Sequence, residues 1–257
     1  MIKEKIRALA RYQSFLSAKR IILYQFFLIE HLFKKYKNYT FLIKFKDTED
    51  RFTGIYKSNY WGNNESVSGY GSSLKFTENL RKRLPNLLQK YSIRSIFDAP
   101  CGDLNWMKLL IPKINIKYIG GDIVKDLINS HNLAYKDVNT SFVHIDLIKD
   151  KFPYSDLMIC RDCLFHLSYK DTRLVLKNFI ASTTPYILTT TYKNYGSFSN
   201  KDILTGEFRM IDLFSRPYSF DPNPIERIDD WIHPEHEREM CLWSREQIIT
   251  ALDMWKI

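Results

Sequence analysis

Short apolar runs alternate with segments of helical periodicity from about residue 75 onward. Five runs have the length and the β-branched or aromatic content of buried strands. They are residues 95–98, 117–122, 141–147, 156–162 and 184–192, and a sixth apolar run covers residues 239–243. Leucines at helical spacing predict a helix over 77–91, and a capping box at 244–247 opens another near the C-terminus. The pattern predicts an α/β domain with a doubly wound, mostly parallel sheet.

The N-terminal segment differs from the remainder in charge. Residues 1–46 hold eleven lysines or arginines and two glutamates, which accounts for the whole net charge of +9. We expect a basic helical extension over residues 1–50, followed by a catalytic domain over residues 51–257. A neutral catalytic domain argues against nucleic acid as a partner. Two interpretations of residues 1–46 stay open: contact with an anionic membrane or a glycosyltransferase, or a cap on the domain or at a homo-oligomer interface.

The first predicted strand runs into a turn that carries two carboxylates around one glycine. Asp98 and Asp103 flank Gly102, whose missing Cβ allows a ligand close to the backbone. A pyrophosphate would be repelled there, whereas a cationic ligand is favoured. The turn therefore predicts S-adenosylmethionine (SAM), which carries an ammonium and a sulfonium, as the cofactor.

Two later strands end in acids at the spacing of successive βα units. Asp122 lies 20 residues after Gly102, where a carboxylate can accept hydrogen bonds from both ribose hydroxyls. Asp146 follows the third strand and is placed to accept from the adenine amino group. These two residues complete the predicted donor site.

At this point the chain resembles the class I SAM-dependent methyltransferases, over roughly residues 55–250. The motifs that carry the resemblance are FDAPCGD (97–103), GGDIV (120–124), HIDL (144–147) and CRDCLFHLS (160–168). It implies a Rossmann-like sheet of the seven-stranded type. It also implies donor contacts from Trp61, Ser72, Pro100, Ile123, Leu147 and Arg161. Pro100 and Leu104 stand where the general pattern has glycines.

A narrower resemblance points to a bacterial branch linked to capsule and O-antigen sugars. The motifs are YWG (60–62), SGYGS (68–72), ILTTTY (187–192) and TGEFRMIDL (205–213). It implies an O-methyltransferase for a hydroxyl of a sugar or sugar nucleotide, a heptose or hexose, in surface polysaccharide synthesis. The alternatives are a small phosphorus-containing capsule precursor as acceptor, and a catalytically inactive cofactor-binding partner of a glycosyltransferase.

Candidate catalytic residues follow the fourth strand, where side chains face the methyl end of the donor. His166 suits proton removal at neutral pH. Asp162 can orient His166, bind sugar hydroxyls or hold a divalent metal. The alternative for His166 is that it only packs against its neighbours. Arg209 is expected to clamp a phosphate or carboxylate of the acceptor, or else to form an exposed ion pair with Glu207 or Asp212.

Composition adds a prediction about location. No run reaches the roughly 18 unbroken apolar residues of a membrane span, and no signal peptide with a small-residue cleavage site is visible. The protein is therefore expected to be cytoplasmic. Whether the chain is a piece of a longer protein stays open.

Overall fold

The computed structural model describes residues 36–255 and, before them, residues 20, 23–26, 29, 30, 32 and 33. The chain divides into two compact units, residues 1–45 and residues 46–257. The described residues between 20 and 42 are helical, as predicted for this part of the extension. The predicted helical segment before residue 20 lies outside the described residues.

A seven-stranded sheet with helices on both faces forms the second unit. The strands are β1 (Ser95–Asp98), β2 (Lys117–Asp122), β3 (Thr140–His144), β4 (Leu157–Cys160), β5 (Tyr186–Tyr192), β6 (Glu226–Asp229) and β7 (Arg238–Ser244). The helices are α1 (Thr48–Lys57), α2 (Glu78–Lys90), α3 (Lys125–Tyr135), α4 (Tyr169–Ala181) and α5 (Arg245–Met254). The strand order is β3-β2-β1-β4-β5-β7-β6. Only β7 runs antiparallel to its neighbours, so the predicted fold class is confirmed.

Burial on both faces explains the continuous apolar strands. In β4, Met158 and Cys160 belong to the core on one side of the sheet, whereas Leu157 and Ile159 belong to the core on the other side. Helices α4 and α5 cover the first side and α2 covers the second. A parallel sheet covered in this way needs apolar side chains at every strand position, which is the pattern that β4 shows.

The order of the strands creates a crevice at one edge of the sheet. The chain moves outward from β1 through β2 to β3, then returns to place β4 on the other side of β1. Ligands of open α/β sheets bind at such a reversal, at the carboxyl ends of the strands. Asp98 ends β1 and Asp122 ends β2, so both lie at this edge.

Strand β6 was not among the predicted strands. Its sequence is Glu-Arg-Ile-Asp and only Ile228 is buried, so it carries no periodic apolar signal. Strand β7 and the capping box of α5 agree with the prediction, since the Ser244 side chain accepts from the Gln247 amide. Among the described residues, no helix combines the length and apolarity required to cross a membrane.

Candidate active site

A cavity of about 450 Å³ opens at the carboxyl ends of β1, β2 and β4. Residues of the strand ends form one part of its lining, including Asp98, Gly102 and Asp122. Trp61 and the segment 67–72 line another part, and α1 contributes Phe52 and other side chains. The cavity lies in the 46–257 unit and has the volume of a small-molecule site, about 300–1,000 Å³.

The turn after β1 is built around Gly102. This residue has φ +56°, and a Cβ there would lie 2.3 Å from Ser68 Oγ. Its amide donates to Asp122 Oδ2 at 3.0 Å, and its carbonyl oxygen lies 2.7 Å from His131 Nε2. Only glycine meets both the left-handed backbone and the close approach, as the sequence predicts.

Asp122 has spare acceptor capacity at the cavity. Its Oδ1 accepts from the Val124 amide at 2.9 Å while Oδ2 accepts from Gly102. A carboxylate offers about four lone-pair positions, so further donors can bind. Burial raises the pKa of Asp122, and the hydrogen bonds from Val124 and Gly102 oppose that rise. Its role as ribose acceptor stays a prediction.

Asp98 lies deeper, beside the Tyr118 hydroxyl. That hydroxyl donates to Asp98 Oδ2 at 2.6 Å. Burial raises the pKa of Asp98 to about 7, although Tyr118 and the nearby Arg161 act to lower it. The carboxyl is therefore close to half-charged at neutral pH, and a cation in the cavity would favour its charged form.

Asp103 holds the segment that covers the cavity. Its Oδ1 accepts from Ser66 Oγ at 3.1 Å, and its Oδ2 accepts from the Val67 amide at 3.0 Å. The Asp103 amide donates to Ser68 Oγ at 3.0 Å. Asp103 lines the cavity, as expected for a donor contact. Its carboxylate also anchors residues 66 and 67, a structural role that the sequence does not predict.

Asp146 and its neighbours line the cavity at the end of β3. Asp146 Oδ1 accepts from the Ile148 amide at 2.9 Å, and Lys149 Nζ lies 2.9 Å from Oδ2. Six other predicted donor contacts also line the cavity. These are Trp61, Ser72, Pro100, Ile123, Leu147 and Arg161.

A buried network of four charges forms one wall of the cavity. Arg161 donates through Nε to Asp230 Oδ2 at 3.0 Å and through Nη2 to the Gly71 carbonyl at 2.7 Å. Arg238 donates through Nη2 to Asp162 Oδ2 at 3.0 Å. Asp162 has φ +54°, and its Oδ2 lies 3.2 Å from Arg161 Nη1. Two arginines thus neutralise two aspartates.

This network makes Asp162 a poor metal ligand and a poor base. Burial acts to raise its pKa, but the Arg161 and Arg238 guanidinium groups outweigh burial and lower it. A carboxylate flanked by two cations has little affinity for a third. Among the described residues, no group of three His, Cys, Asp or Glu side chains is arranged to hold a metal ion. The site geometry does not support the predicted metal alternative.

His166 lies across the cavity in an aromatic environment. Its Nδ1 lies 2.8 Å from the Glu207 carbonyl oxygen, and its ring is 5.1 Å from the Trp61 ring between centroids. Burial lowers the pKa of His166 to about 4, although the bond to Glu207 acts against this. The imidazole is neutral at pH 7. Because Nδ1 carries the proton toward a carbonyl, Nε2 is the acceptor.

Arg209 does not reach the cavity, in contrast to both sequence interpretations. It is 8% exposed, and its guanidinium donates to the Leu167 carbonyl and the Tyr218 hydroxyl. It also lies over the Tyr169 ring at 5.3 Å. These contacts use Arg209 to pack the segment after His166, so the acceptor clamp and the exposed ion pair are both inconsistent with its position.

A second cavity of about 260 Å³ adjoins the first. Tyr192, Glu235 and His236 line both. Lys193 lines the second cavity, but its Nζ lies 2.6 Å from Asp229 Oδ1. The two cavities together give room for a donor and an acceptor.

Sequence reasoning missed Asp230 and Arg238 as members of the site. Asp230 follows the polar strand β6, and Arg238 begins β7 next to Glu239, so neither stands out from a surface charge. The available signal was the position of Arg238 at the start of a strand whose residues 240–243 are all apolar. The structure shows that both side chains are buried, at 0% and 4% exposure.

Two solved structures share this architecture. A SAM-dependent methyltransferase from Leishmania major aligns at 14% identity over 76% of this chain and 85% of that chain, with a TM-score of 0.56. Magnesium protoporphyrin IX methyltransferase from Synechocystis PCC 6803, in a structure with bound SAH, aligns at 11% identity over 77% and 97%, with a TM-score of 0.54. No family model and no curated protein matches the chain. The chain therefore has the Rossmann-like fold of class I SAM-dependent methyltransferases.

Proposed function

We propose that the protein is a SAM-dependent methyltransferase that methylates a hydroxyl of a sugar or sugar nucleotide. The observation that carries this proposal is a single cavity with two kinds of chemistry. Carboxylates surround the Gly102 turn at one side, and the neutral imidazole of His166 lies at the other. The capsule setting, with a heptose or hexose acceptor, rests on the motif resemblance.

The residues at the Gly102 turn fit the donor. SAM has an ammonium, a ribose with two hydroxyls and an adenine, and the cavity offers Asp98, Asp122 and Asp146 in that order. Asp122 retains lone pairs for the ribose after binding Gly102 and Val124. When bound, SAM supplies a methyl group on a sulfonium sulfur, which is already a good leaving group.

His166 is the proposed general base. The chain has to align an acceptor oxygen and take its proton, because the donor is already activated. His166 Nδ1–H is held by the Glu207 carbonyl, so Nε2 presents an unprotonated lone pair. We expect it to accept the hydroxyl proton as the oxygen bonds to the methyl group. Asp162 is proposed to hold the Arg161 and Arg238 side chains in place and to take no part in proton transfer.

The charges around the cavities disfavour a phosphate next to the methylated hydroxyl, as a small phosphorus-containing acceptor would place it, and favour a sugar ring there, with any nucleotide diphosphate farther away. Each of the three lysine or arginine residues that line them, Arg161, Arg238 and Lys193, is already ion-paired. Arg209 lies elsewhere. In contrast, exposed Tyr195 and Phe208 offer aromatic surfaces at the second and first cavity, which suit a sugar ring.

Two measurements test the proposal in sequence. Calorimetric titration with SAH should show one site per chain, and absence of binding would overturn the donor assignment. Transfer of labelled methyl from SAM should then occur to a hydroxyl in a panel of free and nucleotide-linked heptoses and hexoses. SAH binding without transfer to any of them would instead favour the inactive cofactor-binding partner of a glycosyltransferase.

A further inference from the structure

Large apolar side chains are exposed at high density between residues 23 and 43. Nine of them are at least 47% exposed, and they are Leu23, Tyr24, Phe26, Ile29, Leu32, Phe33, Tyr36, Tyr39 and Ile43. The described residues from 46 onward expose six such side chains to that extent, spread over more than two hundred positions. A concentration of this kind marks an interaction surface.

Six of these side chains follow a helical repeat, whereas Leu23 and Tyr24 project outside it and Ile43 lies in the turn after the helix. At about 100° per residue, the exposed apolar positions from Phe26 to Tyr39 fall within an arc of about 140°. They are Phe26, Ile29, Leu32, Phe33, Tyr36 and Tyr39, and we call them the apolar stripe. The described charged residues Arg20, Glu30 and Lys37 fall outside this arc. The described helical residues therefore carry an apolar stripe that charged side chains do not interrupt.

The charge of this segment selects the partner. Residues 1–46 carry a net charge of +9, while residues 47–257 sum to zero. A stripe of phenylalanine, tyrosine and leucine in a segment with this excess of lysine and arginine suits the interface of an anionic bilayer. Pairing of the stripe with a second copy would bring two strongly cationic segments together, which electrostatic repulsion opposes.

We propose that residues 23–43 bind the surface of an anionic lipid bilayer through the apolar stripe. The helix lies in the plane of the interface, with its stripe among the acyl chains and its lysines at the headgroups. This proposal does not depend on the methyltransferase assignment, because lipid binding and SAH binding are measured separately.

Vesicle sedimentation of the full chain tests the proposal. We expect binding to vesicles of phosphatidylcholine with phosphatidylglycerol to exceed binding to phosphatidylcholine alone by about tenfold or more. Raising the salt to about 1 M, where the Debye length is about 3 Å, should remove most of this preference. Absence of binding to the anionic vesicles, or equal binding to both, would overturn the proposal.

Variants distinguish binding through the apolar stripe from binding through exposed apolar side chains elsewhere in the chain. Replacing Phe26, Phe33 and Tyr36 together by serine should weaken anionic vesicle binding by about tenfold or more. The matched control replaces Leu133 and Val138 by serine, since these are 90% and 95% exposed but lie outside the stripe. The control should bind vesicles like the unchanged chain. Circular dichroism and urea denaturation of both variants verify that the 46–257 unit remains folded.

Sedimentation velocity tests the alternative that a second copy of the chain covers the apolar stripe. Self-association that requires the stripe, together with no binding to anionic vesicles, would identify the stripe as an interface between copies and overturn the proposal. A chain that is monomeric without lipid and loses vesicle binding on Lys34→Glu, Lys35→Glu and Lys37→Glu supports it. Both results are independent of any methyl acceptor.

Discussion

The Nδ1 atom of His166 lies 2.8 Å from the carbonyl oxygen of Glu207. This contact joins the turn after β4 to the segment between β5 and β6, and it fixes which imidazole nitrogen carries the proton. The ring is also held between Trp61 and Phe208, at 5.1 and 5.9 Å between centroids. A backbone carbonyl and two aromatic rings thus define the direction of the Nε2 lone pair.

Replacing His166 by alanine should lower the turnover number by about 10²–10⁴ if it is the base. SAH affinity should stay unchanged, because the predicted donor contacts lie on other residues. The matched control is His233→Ala, an exposed histidine, which should leave turnover unchanged. A loss below about tenfold for His166→Ala would assign proton removal to another group.

The pH dependence of turnover should follow the lowered pKa of His166. Burial favours the neutral imidazole, so the base form persists down to about pH 4. At saturating donor and acceptor, turnover should therefore rise with pH through about 4 and stay level across pH 5.5–7.5, roughly the range that an ordinary histidine titrates in. An inflection near 6.5 that disappears in His166→Ala would show a more solvated imidazole.

Donor affinity should depend on pH through Asp98. Its pKa is about 7 without ligand, and a cationic donor binds the charged carboxylate better. The dissociation constant should therefore be level above pH 7 and rise by up to about tenfold per pH unit below it, with one proton released on binding. Calorimetry in buffers of different ionisation enthalpy measures that proton. Asp98→Asn should abolish both effects.

Asp122→Ala should weaken SAH binding by about 1.5–3 kcal/mol, the range for hydrogen bonds to a charged acceptor. Asp122 also accepts from the Gly102 and Val124 amides, so the substitution could act by changing the turn. A second ligand, an SAH analogue that lacks the ribose hydroxyls, is therefore measured on the variant and on the unchanged chain. That ligand should bind the variant and the unchanged chain with similar affinity. A similar loss for both ligands would attribute the effect to the turn.

Asp230→Ala should lower the free energy of unfolding by about 3–5 kcal/mol, because it leaves Arg161 buried without its main partner. Asp230 is 0% exposed and accepts two hydrogen bonds from that guanidinium. The adjacent Asp229→Ala is the matched control. Asp229 is exposed and paired with Lys193, so urea denaturation should show a change of at most about 1 kcal/mol. Equal losses of unfolding free energy in the two variants would contradict the stabilising role of the buried network.

The placement of three carboxylates around one cavity was predictable because its signals are local. Asp98, Asp122 and Asp146 each follow an apolar run, and parallel strands bring such positions to one edge. Arg209 and Arg238 were not predictable in this way. Whether an arginine is buried depends on partners far along the chain, here Tyr218 or Leu167 for one and Asp162 for the other. No periodic pattern records those pairings.

The position of β7 between β5 and β6 ties the charge balance of the site to the completed sheet. Arg238 meets Asp162 across 76 positions of the chain, and it also lies 3.4 Å from Asp230. Strand β6 pairs with β7 and not with β5. A change that displaces β7 would therefore release β6 from the sheet and leave two buried aspartates with Arg161 as their remaining cation in this network.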